Sequence, residues 1–424
     1  MNVLLQKVTI IASSSAYHNQ IKDILIVDGV IKKISDNIPQ EKCEVIIGND
    51  LHVSVGWMDI FTNFAEPGYE HRETLESGAK AAAAGGFTDV MLIPNTNPIV
   101  DSKAQVEFLK ERSKQLPINI YPIGAVTKNA DGNTLAEMYD MHKSGAVAFS
   151  DGTKSIQQAG ILLKAMQYIV AKNAIIIQIA DDKSISDGGL MNEGIESTKL
   201  GLPGKPAIAE ELMITSNIEL LNYTNSKLHI TGVSTKKGIE LISAAKKRGL
   251  QISCSVTPYH LYFCDEDLDG YDTNLKLTPP LRTRTDMNAI QVALCAGDID
   301  CIASHHSPYS WDEKVCEFEY AKNGMITLQT LYGTVNRIIN DTEALVKLFT
   351  ENNRNIFSVT KPIIEEEAIA CLTIFEPNTE FIFEEKMIFS KSKNSGFVGT
   401  MMKGKVVGIV NKGKMVLNSL TQRS

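Results

Sequence analysis

The chain is expected to fold as an α/β protein: a parallel (β/α)8 TIM barrel with a small β-sandwich domain built from both termini. Three observations predict this. Short β-branched runs alternate with longer amphipathic segments through the middle of the chain, giving eight β units; such alternation produces a parallel sheet, and eight repeats close a barrel. The two ends follow a different grammar of strands and tight turns. A length of 424 residues exceeds one ordinary domain but suits a barrel with an appendage.

The elements follow in order. Residues 1–51 read as strands: Val3 to Ile11 is β-rich, and Asp28-Gly29 sits between two apolar runs, a hairpin signal. The barrel is assigned to residues 52–365. Its first strand surrounds Asp59, followed by runs at Thr88 to Ile93, Ile118 to Ile123, Ala146 to Phe149, Ala174 to Ile177, Lys227 to Ile230, Gln251 to Cys254 and Cys301 to Ala303. Amphipathic segments such as Thr74 to Ala84 and Thr235 to Arg248 separate them. Two irregular excursions interrupt the pattern, the glycine-rich Asp181 to Pro206 and the acidic Cys264 to Pro280. Loops of this length serve as lids or binding loops, or are plain surface excursions. Residues 366–424 return to strands, with an Asn411-Lys412-Gly413 turn between two apolar runs. Termini that meet at a domain surface allow both ends to build one domain.

Composition narrows the function classes. Net charge is −8, with no basic run, so nucleic acid and membrane surfaces are not expected partners. The seven cysteines form no Cys-x-x-Cys pair, which suits reduced thiols better than a disulfide framework. The N-terminus lacks the pattern of a secretory leader, and no apolar stretch reaches transmembrane length. A soluble cytoplasmic protein is expected.

The informative motifs run nearly end to end. Glu66-Pro67-Gly68 is followed by Glu73-Thr74-Leu75-Glu76-Ser77-Gly78, Gly85-Gly86-Phe87-Thr88, Pro94-Asn95-Thr96-Asn97-Pro98, Asn192-Glu193-Gly194, Val233-Ser234-Thr235, Pro279-Pro280-Leu281-Arg282 and Gly404-Lys405-Val406. Each is weak alone. In this order and spacing they resemble the dihydroorotases of the amidohydrolase superfamily, especially the longer bacterial type. That resemblance implies zinc-assisted, reversible cyclisation of carbamoyl aspartate to dihydroorotate. Zinc held by histidines and a carboxylate would lower the pKa of bound water from about 15.7 toward 7, and a late aspartate would shuttle the proton.

The positions that would carry this chemistry are altered. The family strand reads Asp-x-His-x-His-x-Arg-Glu-Pro-Gly; here its two histidines fall on Phe61 and Asn63, and its substrate arginine on Ala65. The next two histidines fall on Gln178 and Gly232, the late aspartate on His305, the last histidine of that motif on Tyr309, and an asparagine on Thr278. Asp59, Asn95 and Asp151 keep the family residue. A phenyl ring has no lone pair for a cation, and neutral side chains relieve a vacated site of carboxylates facing one another. No metal and no cofactor are therefore expected.

The remaining histidines suggest no replacement site. His229, three residues before Gly232, is expected to point away from the lost ligand toward the helices. His305 and His306 would diverge if extended, and His71 is expected to be exposed. No nucleotide loop or nucleophile elbow appears.

Three readings follow. In the first, the chain is a catalytically inactive dihydroorotase homologue that forms a homodimer and acts as a structural or regulatory partner of aspartate carbamoyltransferase or of an active dihydroorotase. In the second it is a working cyclic-amide hydrolase with atypical ligands. In the third, Asn63, Asn95, Asp151, Gln178 and His305 line a pocket that binds a metabolite.

Overall fold

The computed structural model describes residues 1–40 and 43–418. Eight parallel strands form the barrel: β1 (Trp57–Thr62), β2 (Phe87–Leu92), β3 (Asn119–Gly124), β4 (Ala148–Phe149), β5 (Ile176–Gln178), β6 (Leu228–Ile230), β7 (Ile252–Val256) and β8 (Cys301–Ile302), each paired with its neighbour in chain order. All eight coincide with runs singled out in the sequence, to within two residues at most ends. The helices fall between them as expected. Leu75–Ala84 starts at Thr74, whose hydroxyl accepts the Ser77 amide, and Lys236–Lys247 is capped likewise by Thr235.

The barrel closes through an isolated parallel bridge between Thr62 and His306 and the bond from the Asn63 amide to the His306 carbonyl at 3.0 Å. Asp59 staples the same seam. Its carboxylate accepts the Ser304 amide and the Ser304 hydroxyl, both at 2.7 Å, and the Thr62 hydroxyl. Burial pushes its carboxyl pKa up, against the pull of those donors. The surviving family aspartate thus joins the first strand to the segment after the last.

Inside the barrel, Met58, Ile60, Phe61, Met91, Ile93, Ile123, Ile177 and Ala303 form one apolar cluster with Phe357 and Val359. Alternate residues face the helices in a second cluster that includes Phe87, Ile176, Leu228, Ile230 and Ile252. The helix Glu351–Phe357 packs on β1, where the Asn353 amide group donates to the Met58 carbonyl at 2.5 Å.

The termini build one continuous eight-stranded sheet, with its own apolar cluster around Val3, Ile10, Ile24, Val53 and Ile374. Both foreseen hairpins are present. Asp28-Gly29 and Lys412-Gly413 each take positive φ at both turn residues, the geometry that matches strand twist in two-residue turns. His52–Val55 pairs with Asn2–Ile11 and Leu372–Ile382, which moves the junction from residue 51 to Gly56. Residues 419–424 of the expected second segment lie outside the described residues.

Candidate functional site

In this fold the loops after the strands' C-terminal ends form the mouth where sites are built. The positions singled out in the sequence gather there, but as packing. Phe61, 2% exposed, lies stacked on the His305 imidazole with ring centroids 4.4 Å apart. Gly232, at φ +69°, leaves the space that this imidazole enters: a Cβ there would stand 2.8 Å from His305 Cε1. His305 itself takes φ +48°, outside the extended geometry in which it and His306 would simply diverge.

His305 heads a hydrogen-bonded chain. Its Nε2 meets the Thr231 hydroxyl at 2.8 Å, Thr231 meets Ser255 at 2.8 Å, and Ser255 meets His229 Nε2 at 3.0 Å; His229 Nδ1 then meets Ser253 at 2.8 Å. Either of two opposite proton arrangements satisfies every member with both imidazoles neutral. Burial drives both rings that way, holding each pKa at about 3. His229 thus corrects the expectation that it packs toward the helices. Its neighbours Leu228 and Ile230 take the helix side, and His229 contacts Phe357 of the interior cluster. Counting parity back from Gly232 misled because β6 ends at Ile230 and the chain turns at Gly232.

Four of the other candidates, Gln178, Asp151, Asn95 and Asn63, are engaged with the backbone. The Gln178 carboxamide donates to the Ile156 carbonyl at 3.2 Å and accepts its amide at 3.4 Å. Asp151 accepts the Val126 and Thr127 amides at 3.0 and 2.9 Å and the Thr127 hydroxyl at 2.6 Å, while burial raises its pKa. Asn95 donates to the Asp151 carbonyl at 3.1 Å and accepts the Thr153 amide at 2.9 Å. Asn63 accepts the amide of Ala65, which is buried at φ +60°. Tyr309 lies 5.1 Å from the Arg72 guanidinium, which Glu313 holds by a forked ion pair. The Thr278 hydroxyl is buried without a partner. His71 is exposed as expected.

The donor set does not fit zinc. Among the described residues, no three histidine, cysteine, aspartate or glutamate side chains converge as a metal site requires. His305 has its Nε2 bonded to Thr231, and Asp151 offers oxygens that already accept three hydrogen bonds.

Sequence reasoning missed the neighbouring polar groups. Glu210 accepts the Ser234 and Thr235 amides at 3.0 and 2.9 Å and the Thr235 hydroxyl at 2.8 Å, and Arg282 bridges Ser234, Asn192 and the Lys205 carbonyl. The resemblance motifs Asn192-Glu193-Gly194, Val233-Ser234-Thr235 and Pro279-Pro280-Leu281-Arg282 meet in this network, so their shared presence was the available signal. His306 accepts the Thr327 amide at Nδ1 at 3.1 Å, which turns its Nε2 proton toward buried Glu73, 3.6 Å away.

Gly232→Ala tests the packing directly. Left-handed strain and the clash with His305 are expected to cost about 1–3 kcal/mol, seen as a lower urea midpoint, and adding His305→Ala should recover the steric part. An unchanged midpoint in the single variant would show that the imidazole does not occupy that space.

Comparison with known proteins agrees with this geometry of fold and motif. Residues 52–238 match the family described as Dihydro-orotase-like. The dihydroorotase of Pelotomaculum thermopropionicum is 38% identical over 402 residues, 93% of this chain and 94% of that protein. That of Caldanaerobacter subterraneus subsp. tengcongensis is 39% identical over 399 residues, 93% of this chain and 92% of that protein. Among solved structures, L-hydantoinase from Arthrobacter aurescens superposes with a TM-score of 0.83 at 22% identity, covering 98% of this chain and 96% of its own, which establishes the shared fold. Among the described residues no helix is long and apolar enough to cross a membrane.

Proposed function

This chain belongs to the dihydroorotase family, and we propose that within it the protein is a non-catalytic member of pyrimidine biosynthesis. It would serve as a structural or regulatory partner of aspartate carbamoyltransferase or of an active dihydroorotase, itself a homodimer. The observation that carries this reading is the Phe61–His305 stack seated over Gly232. Hydrolysis or formation of an unactivated amide needs an activated oxygen nucleophile and a group that stabilises the developing oxyanion. The strand ends offer a phenyl ring, carboxamides engaged with backbone and a neutral imidazole.

The scaffold around these positions is intact. A partner reads surface, and surface persists when the chemistry at the mouth is replaced by packing. The reading of a hydrolase with atypical ligands has Asp59, Asp151 and Asn95 as its support, yet each is engaged structurally. The metabolite-pocket reading meets the same difficulty at Gln178 and Asn95.

The test is an assay of carbamoyl aspartate cyclisation by the purified full-length protein with zinc supplied, together with complementation of a pyrimidine auxotroph. No turnover and no rescue are expected, alongside a complex with one of the two enzymes of the same organism. Growth rescue by this chain alone, in a strain without another dihydroorotase, would defeat the proposal.

A further inference from the structure

Two excursions at the barrel mouth present an uncommon surface. The segment 264–276 follows β7 and the segment 310–323 follows β8, and the Thr273 hydroxyl donates to the Lys314 carbonyl at 2.6 Å. On the second, Trp311 is 75% exposed, Tyr320 71% and Val315 57%. Trp311 and Val315 are four apart across one helical turn, so they share a face. Single exposed apolar residues are ordinary. Two large aromatics and a valine within ten residues of one loop are not.

The loop that carries them is rigid by construction. Lys314, buried, donates its ammonium to the Lys322 and Gly324 carbonyls at 2.8 and 3.1 Å. Lys276, also buried, donates to the Phe318 and Glu319 carbonyls at 2.7 and 2.8 Å. Two desolvated lysines fasten the loop from inside and leave its aromatics outside. Burying lysine is unfavourable unless its donors are satisfied, and here all the satisfaction is supplied by this loop's own backbone. Anchors already held in place lose little freedom on association.

Charge selects the occupant. Exposed Asp267, Asp269, Asp272, Asp312, Glu317 and Glu319 belong to the same two excursions, and none forms an ion pair among the described residues. Lys322 is their one exposed base. A second copy docked across a two-fold axis would set acid against acid. Polyanions and anionic membranes are repelled for the same reason.

We propose that Trp311, Val315 and Tyr320 form the anchor of a docking surface for a different folded protein, one that offers an apolar pocket rimmed by lysine and arginine. This rests on the partner reading given above and names the face of this chain that such a partner meets. Aromatic anchors at the centre of a patch carry most of an interface's affinity, while rim charges set rate and salt dependence.

The experiment uses the full-length chain with aspartate carbamoyltransferase and, separately, the complete dihydroorotase of the same organism, with affinities measured by calorimetry at low and moderate salt. Trp311→Ala with Tyr320→Ala is expected to weaken the complex about 100-fold. Glu317→Lys with Glu319→Lys should weaken it and flatten its salt dependence, and Val292→Ser, on the helix Arg284–Ala296, should leave it unchanged. All these side chains are exposed, so the variants keep their fold, checked by unchanged unfolding midpoints. A complex indifferent to the aromatic pair overturns this surface and leaves the partner reading standing. Failure of both enzymes to bind the wild-type chain overturns both. Loss of a homodimer in the aromatic variant, with the mixed complex intact, assigns the patch to a second copy and overturns the proposal.

Discussion

Acidification from pH 7 to 4.5 is expected to destabilise this protein steeply. His229, His260 and His305 are buried and neutral, each with its pKa held at about 3, chiefly by desolvation. His229 and His305 belong to the chain through Thr231 and Ser255. His260 bonds the Thr257 hydroxyl at 3.0 Å and donates to the Pro279 and Pro280 carbonyls at 3.2 and 3.1 Å. Unfolded, all three titrate near 6.5. Between about pH 6.5 and 3 the unfolded chain therefore binds more protons than the folded one, so stability rises with pH. The contribution is complete above 6.5 and is lost as pH falls toward 3. Three protons correspond to a slope of up to about 4 kcal/mol per pH unit near pH 5. Asp59 and Asp151 oppose this, because their raised pKa values let the folded state take up protons first, whereas Glu73 and Asp181, lowered on balance, reinforce it. Urea midpoints across this range measure the net proton uptake. His260→Gln should lower the slope by about one proton's worth; a midpoint flat from pH 7 to 4.5 would show that these rings are not held neutral.

The second large effect is expected at Arg354. Its guanidinium pairs with Asp89, and the two side chains are 1% and 4% exposed. Asp89 also accepts the Asn119 amide group at 2.8 Å and the Thr88 hydroxyl at 2.7 Å. The pair ties the helix Glu351–Phe357 to β2. Arg354→Ala removes the partner and leaves a carboxylate in a closed interior, a change that costs about 3–5 kcal/mol. Asp89→Asn in the same chain relieves the stranded charge, so the double variant should be more stable than Arg354→Ala alone. The comparison of urea midpoints among the four proteins isolates the coupling. A loss below about 1 kcal/mol in Arg354→Ala would mean that water reaches the carboxylate.

What the sequence revealed and what it hid divide along physical lines. The barrel strands were legible because Thr88 to Ile93 and its counterparts are short β-branched runs between amphipathic segments, and Asp28-Gly29 and Gly413 supplied residues that left-handed turns favour. The altered positions were legible because Phe61, Asn63, Gln178, Gly232 and His305 could be laid against a motif of fixed spacing. Their surroundings were not. No local pattern shows that Gln178 clasps Ile156, that Asp151 is consumed by the amides of residues 126 and 127, or that Asp59 seals the barrel against Ser304. These partners lie 22 to 245 residues apart. The position of His229 was misjudged because an alternation rule was carried past the end of a strand. Asp89 and Arg354 pair across 265 residues, although an acid inside the apolar run Thr88 to Ile93 already signalled a buried partner.

The central claim is that the mouth of this barrel is filled by side chains where its relatives' motif would place metal ligands. Crystals of the full-length protein equilibrated with zinc, measured at the zinc absorption edge, test it most directly. The expected result is no anomalous peak between Phe61, Gln178, Gly232 and His305, with the imidazole still stacked on the phenyl ring. A strong peak there, bonded to His305 and Asp151, would contradict it.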